Sequence, residues 1–268
     1  MSSRIALILL AVPALLAAAA APALAQAEYN VLDAFEGHAN VTATIEGDTL
    51  FIQTNGLPDH ATQQVNPNTP RTADYTLEMP LNPEYSLNTT PTGMGAIGVM
   101  VNGVLFYNPY TADGLDAVEH EVFDNCLGHP DQMGRYHYHQ APGCLLDGTD
   151  GQLIGFAFDG FPLYSYTDED GSTPTDLDEC NGHFTATPEY ANGIYHYHVT
   201  DSFPYLIGCY HGDVQIKNLQ ETGGGGAGAG QVTPPTGNAS AGNPLPGGPA
   251  GNPPTGAPPA GRPNGPRP

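Results

Sequence analysis

Two stretches of the chain read Tyr-His-Tyr-His, at residues 136–139 and 195–198. In an extended strand, residues i and i+2 project from the same face. His137 and His139 therefore point one way while Tyr136 and Tyr138 point the other, and His196 and His198 stand in the same relation to Tyr195 and Tyr197. Each strand is a two-point imidazole chelate. A Gly-His turn upstream of each supplies a third ring, His129 in Cys126-Leu-Gly-His129 and His183 in Cys180-Asn-Gly-His183. Three neutral imidazoles with an open coordination position suit Zn²⁺, Cu²⁺ or Fe²⁺. Two other readings use the same residues. One is a buried network in which the rings bond Asp124, Asp178 or backbone carbonyls; the other is metal-free acid–base catalysis by a His–Asp pair. The spacing is compatible with one shared centre or with two separate ones.

Asp124, Asp159 and Asp178 are expected to accept from the ring nitrogens that do not face the metal and so to fix the imidazole tautomers. His60 and His211 are candidate additional ligands, each read more simply as a surface histidine, and His38 and His120 carry no special expectation. The acidic run from Asp168 to Glu179 suggests Ca²⁺, but it lacks the EF-hand spacing and reads as a solvated loop. Four cysteines without a C-x-x-C are expected to form two disulfides rather than to bind metal as thiolates; the repetition of the motifs favours Cys126–Cys144 and Cys180–Cys209, with a pairing across the two units as the rival.

The elements that must position these residues occur twice. Ile97-Gly-Val-Met-Val-Asn-Gly-Val-Leu-Phe-Tyr107 parallels Ile154-Gly-Phe-Ala-Phe-Asp-Gly-Phe-Pro-Leu-Tyr164, and each is followed by a Cys-x-Gly-His segment, a Tyr-His-Tyr-His strand and a second Cys. Asn-Gly and Asp-Gly between apolar runs are hairpin signals and predict type I′ turns, with positive φ at both central residues. A further hairpin is expected from residues 41–45 and 49–54, and the best helical candidate, residues 113–123, is short. These readings predict an all-β or β-rich single domain of short strands and hairpins. It is built from an internal duplication (units of about 97–145 and 154–210) with a pseudo-two-fold relation.

The ends differ in composition. Residues 1–25 read as a signal peptide: Arg4, an apolar run, and Ala23-Leu24-Ala25 before a mature start at Gln26. Residues 223–268 are dominated by Gly, Pro, Ala, Asn and Thr and read as a disordered tail, leaving a domain over 26–222. The formal charge of −22 disfavours nucleic acid and anionic membranes as partners. After the leader, no segment is long and apolar enough for a membrane span. Secretion or periplasmic export is the expected localisation.

The paired motifs, the segment Gly155-Phe-Ala-Phe-Asp-Gly-Phe-Pro162, the stretch Phe203-Pro-Tyr-Leu-Ile-Gly-Cys-Tyr-His-Gly212 and Asn55-Gly-Leu-Pro-Asp-His60 together resemble the secreted YHYH-domain proteins over about residues 55–212. The resemblance implies an exported domain of duplicated architecture and delivers no reaction. The functional expectation therefore rests on the imidazoles: a transition-metal-binding domain for metal handling or storage. The alternatives are an extracellular metalloenzyme with one open coordination position, and a structural or adhesion module with a Tyr/His core.

Overall fold

A computed structural model describes residues 29–223. The leader expected over 1–25 and, Gly223 apart, the tail expected from 223 onward lie outside the described residues.

A 3-10 turn (Val31–Phe35) leads into strands β1 (Val41–Glu46), β2 (Thr49–Thr54) and β3 (Tyr75–Pro80), which form an antiparallel sheet in that order. Then come β4 (Thr90–Pro91), β5 (Ala96–Met100), β6 (Leu105–Tyr107), the one-turn helix α1 (Ala117–His120), β7 (Gly128–Pro130) and β8 (Tyr136–Tyr138). They are followed by β9 (Leu153–Ala157), β10 (Pro162–Tyr164), β11 (Gly182–Thr185), β12 (Ile194–His198), β13 (Cys209–Tyr210) and helix α2 (Ile216–Glu221).

Eight strands make the main sheet, in the order β11-β12-β10-β9-β5-β6-β8-β7. Outward from the central antiparallel contact of β5 with β9, both halves pair alike. A hairpin comes first (β5/β6, β9/β10), then a parallel strand (β8, β12), then an antiparallel edge strand (β7, β11). The protein is β-rich, as its short apolar runs and frequent turn residues require. Strand β5 is buried along its whole length, whereas β2 and β3 alternate buried and more exposed positions. The buried side of the small sheet, including Leu50, Ile52, Leu77 and Met79, joins the core of the large one.

The two hairpin turns are not type I′. Positive φ occurs at Gly103 (82°) and Gly160 (91°), but at neither Asn102 nor Asp159. Gly103 N–H donates to Met100 O and Met100 N–H to Val104 O; Gly160 and Ala157 repeat the pattern with Ala157 O and Phe161 O. This is a three-residue loop with a glycine bulge, in which the glycine alone takes the left-handed conformation. The Asn102 and Asp159 side chains are thereby freed to accept from the backbone N–H of Val104 and Phe161.

The third histidines also lie on strands rather than in turns. His129 on β7 stands directly across from His137 on β8, and His183 on β11 across from His196 on β12. The glycine before each is a close-approach site. A Cβ on Gly128 would lie 2.4 Å from the Tyr136 hydroxyl, and one on Gly182 only 2.2 Å from that of Tyr195.

Gly182→Ala is expected to cost about 3 kcal/mol, seen as a fall in thermal midpoint. Gly93→Ala, whose Cβ would meet nothing within 4 Å, should leave it unchanged.

Candidate metal centres

The loop before each third histidine is built around an aspartate. The Asp124 carboxylate accepts from Cys126 N–H, Gly128 N–H and the Tyr136 hydroxyl (2.8 Å). Asp178 does the same with Cys180 N–H, Gly182 N–H and the Tyr195 hydroxyl (2.9 Å). Disulfides Cys126–Cys144 and Cys180–Cys209 close the loops. Turn, staple and tyrosine anchor thus fix the edge strand against the Tyr-His-Tyr-His strand.

On the opposite face the imidazoles converge. In the first half, His137 Nε2 lies 3.1 Å from both His129 Nε2 and His139 Nε2. In the second half, His196 Nε2 lies 3.2 Å from His183 Nε2 and 3.0 Å from His198 Nε2. All six rings are buried. Each Nδ1 faces an oxygen that has no proton to give. For His129, His137 and His139 these are the carbonyls of Val122 (3.1 Å), Arg135 (3.0 Å) and Asn108 (2.6 Å). His196 and His198 face the carbonyls of Ile194 (3.0 Å) and Ser165 (2.7 Å), and His183 faces the Asp176 carboxylate (2.9 Å).

The proton of every neutral ring therefore sits on Nδ1, and Nε2 carries a bare lone pair. Burial favours the neutral form of His137, His139, His196 and His198. It pushes His137 well below the ordinary imidazole value, His139 down to about 4 and His196 down to about 3, and it also lowers His198. Three lone pairs facing one another at hydrogen-bond distance, with no proton between them, are an electrostatic conflict that a cation resolves.

A carboxylate stands beside each cluster. Glu121 Oε2 lies 3.1 Å from His129 Nε2 and 3.5 Å from His139 Nε2; Asp168 Oδ1 lies 3.3 Å from His183 Nε2 and 3.4 Å from His198 Nε2. Ligand atoms about 2.0–2.1 Å from a tetrahedral ion stand about 3.3–3.4 Å from one another. The separations of His137 and of His196 from their two ring neighbours, 3.0–3.2 Å, are close to that edge; Asp168 belongs with its three rings to one metal-sized group, whereas Glu121 stands beside the first group without joining it. Both three-imidazole groups can hold a metal ion, and the six histidines form two clusters.

Several expectations are corrected here. Asp124, Asp159 and Asp178 do not orient the six rings. They bind the tyrosine hydroxyls on the far face, Asp159 taking that of Tyr197 (2.7 Å), while backbone carbonyls and Asp176 set the tautomers. His60 and His211 join neither cluster. His60 Nε2 bonds the Tyr138 hydroxyl (2.7 Å), and His211 Nδ1 donates to Ser86 O (2.7 Å) while its Nε2 faces Asp178. Both lie close to cysteines, but disulfide sulfurs offer no thiolate.

The acidic run is not simply a solvated loop. Asp168 faces the second imidazole cluster, Asp176 binds His183, and Asp178 anchors Tyr195. Glu121 and Asp168 escaped the sequence reading because they differ in type and stand at different distances from their histidines. Glu121 is presented by the end of α1, a four-residue helix capped by Asp116, which accepts from Val118 N–H and Glu119 N–H. Asp168 is presented by a tight turn closed to Ser172.

Fold and site define a β-rich, doubly disulfide-bonded domain with two imidazole–carboxylate clusters. The family model described as YHYH protein matches residues 76–175 and 166–212, and the chain belongs to that family. No curated protein and no solved structure matches it.

The tyrosine face carries a titratable group of its own. Asp159 is completely buried, and burial raises its carboxyl to about 6 despite hydrogen bonds from Tyr197, Gly212 and Phe161. A folded value above the unfolded one gives stability that is present below about pH 4 and lost as pH rises through about 6. Asp159→Asn removes this dependence. The stability of the variant relative to wild type is therefore expected to gain about 2 kcal/mol between pH 4 and 7, measured by urea unfolding across that range.

Proposed function

We propose that this protein is an exported metal-handling or storage domain. It holds one transition-metal ion, of zinc, copper or iron, at each of two centres: Glu121/His129/His137/His139 and Asp168/His183/His196/His198. The observation that carries the reading is the convergence of three imidazole Nε2 atoms, twice, with every Nδ1 committed elsewhere and a carboxylate beside each set. Imidazole and carboxylate suit these borderline ions.

We take the two centres to belong to duplicated units related by a pseudo-two-fold. The matched pairing order of the two sheet halves supports this. Export through the leader at 1–25 is supported by two disulfides, which persist in oxidising compartments. Among the described residues no helix is long and apolar enough to cross a membrane. The purely structural reading of the Tyr/His core is weaker because its ring-to-ring contacts lack the proton that a hydrogen bond needs.

Metal analysis of untagged protein, purified without chelator or nickel resin and then titrated with Zn²⁺, is expected to give two ions per chain. His137→Ala and His196→Ala should each retain one ion, and the double variant none. Glu121→Gln should weaken the first centre alone by about tenfold or more. If wild type binds Zn²⁺, Cu²⁺ and Fe²⁺ no better than the double variant does, the reading is wrong.

A further inference from the structure

The two centres are unequal in their surroundings. A cleft of about 540 Å³ opens over the first, and Glu121, His129, His137 and His139 all form part of its wall. That is the size of a small-molecule site. Tyr107, also in the wall, lies flat on His137 with ring centroids 3.9 Å apart and planes 19° apart. It is 7% exposed, and its hydroxyl has no hydrogen-bond partner among the described residues. Beside it in sequence, Asn108 gives its amide N–H to the Met94 sulfur, while its Oδ1 is buried and unpartnered.

The second centre differs at the tyrosine, although Ser165, in the place of Asn108, also keeps a buried hydroxyl without a partner. Tyr164, which holds the place of Tyr107 in the other hairpin, has its hydroxyl bonded to Thr187 (2.8 Å) and Glu189 (2.7 Å). It meets His196 edge-on rather than flat.

A buried donor and a buried acceptor thus stand without partners, and both residues form part of the wall of a cleft that also includes Glu121, His129, His137 and His139. We infer that the cleft over the first centre binds a neutral amide-bearing small molecule. Its carbonyl oxygen faces the metal and the Tyr107 hydroxyl, and its N–H donates to Asn108 Oδ1. An anionic ligand fits less well. Arg135, the cation in the wall, is engaged by Asp131 (2.6 Å) and by the Thr222 carbonyl (2.7 Å), and the chain as a whole carries −22. This inference rests on the metal reading above and adds to it that the first centre accepts an exogenous ligand and the second does not.

Cobalt substitution separates the two claims, because Co²⁺ bands in the visible weaken as a four-coordinate ion gains a ligand. The probe is acetamide, a small neutral molecule with adjacent C=O and N–H, with azide as the anionic comparison. In the Co²⁺ protein, acetamide should weaken the bands of the first centre. The effect should persist in His196→Ala and vanish in His137→Ala. Tyr107→Phe should raise the apparent Kd about tenfold. Gln132→Trp, an exposed change at the rim of the cleft, should block binding while leaving cobalt uptake intact.

A response in His137→Ala, equal responses at both centres, a response to azide alone, or cobalt bands that never change would overturn the inference and leave the metal reading standing. Failure to take up cobalt at all would remove both.

Discussion

The chemistry of this protein depends on a set of hydrogen bonds that never touch the candidate metal. Six Nδ1 atoms donate to oxygens, five of them backbone carbonyls. Because a carbonyl cannot return the proton, the tautomer is fixed, and each Nε2 presents a lone pair to the cluster centre. Were the backbone to offer N–H groups at those places, the same rings would turn protonated nitrogens inward and form an ordinary polar core. The carbonyls of Asn108 and Ser165 come from just beyond β6 and β10, so the strand paired in parallel with each Tyr-His-Tyr-His strand sets the chemistry of its last histidine.

One strand serves two purposes because its faces are independent. The histidine face forms the cluster, and the tyrosine face anchors the loop that carries the third histidine. Tyr136 reaches Asp124 and Tyr195 reaches Asp178, each passing over a glycine that leaves room for the ring. The disulfide lies in the same loop, so covalent and hydrogen-bonded restraints hold the edge strand in register with its partner. Geometry at the lone pairs is thus held from behind. Such support is what a site needs if the cost of crowding four acceptors together is to be borne without distortion.

The halves share a plan and differ in detail. Asn102 and Asp159 occupy matching turn positions and both meet a tyrosine hydroxyl, that of Tyr138 and of Tyr197, yet only the second is a buried acid. Glu121 from a one-turn helix and Asp168 from a tight turn bring a carboxylate to the same relative place by different routes. The open cleft and the unpartnered Tyr107 belong to the first half, the tethered Tyr164 and the Asp176 acceptor to the second.

The repeated motifs alone determined much of this. Period-two alternation dictates that His137 and His139 share a face, and two turn glycines bracketed by apolar runs dictate hairpins, because both are local consequences of backbone geometry. The β-rich class and the membership of each histidine in a set of three were legible for the same reason. What the chain could not disclose by itself were relations across space. That His129 lies opposite His137 in an edge strand, that Glu121 and Asp168 stand beside the clusters, and that carbonyls rather than Asp124, Asp159 and Asp178 set the tautomers all depend on which strands become neighbours. The number of centres was decided in the same way. The two histidine strands take up places on opposite sides of the β5/β9 junction, with four strands between them, and that separation comes from sheet order, a property of the assembled fold.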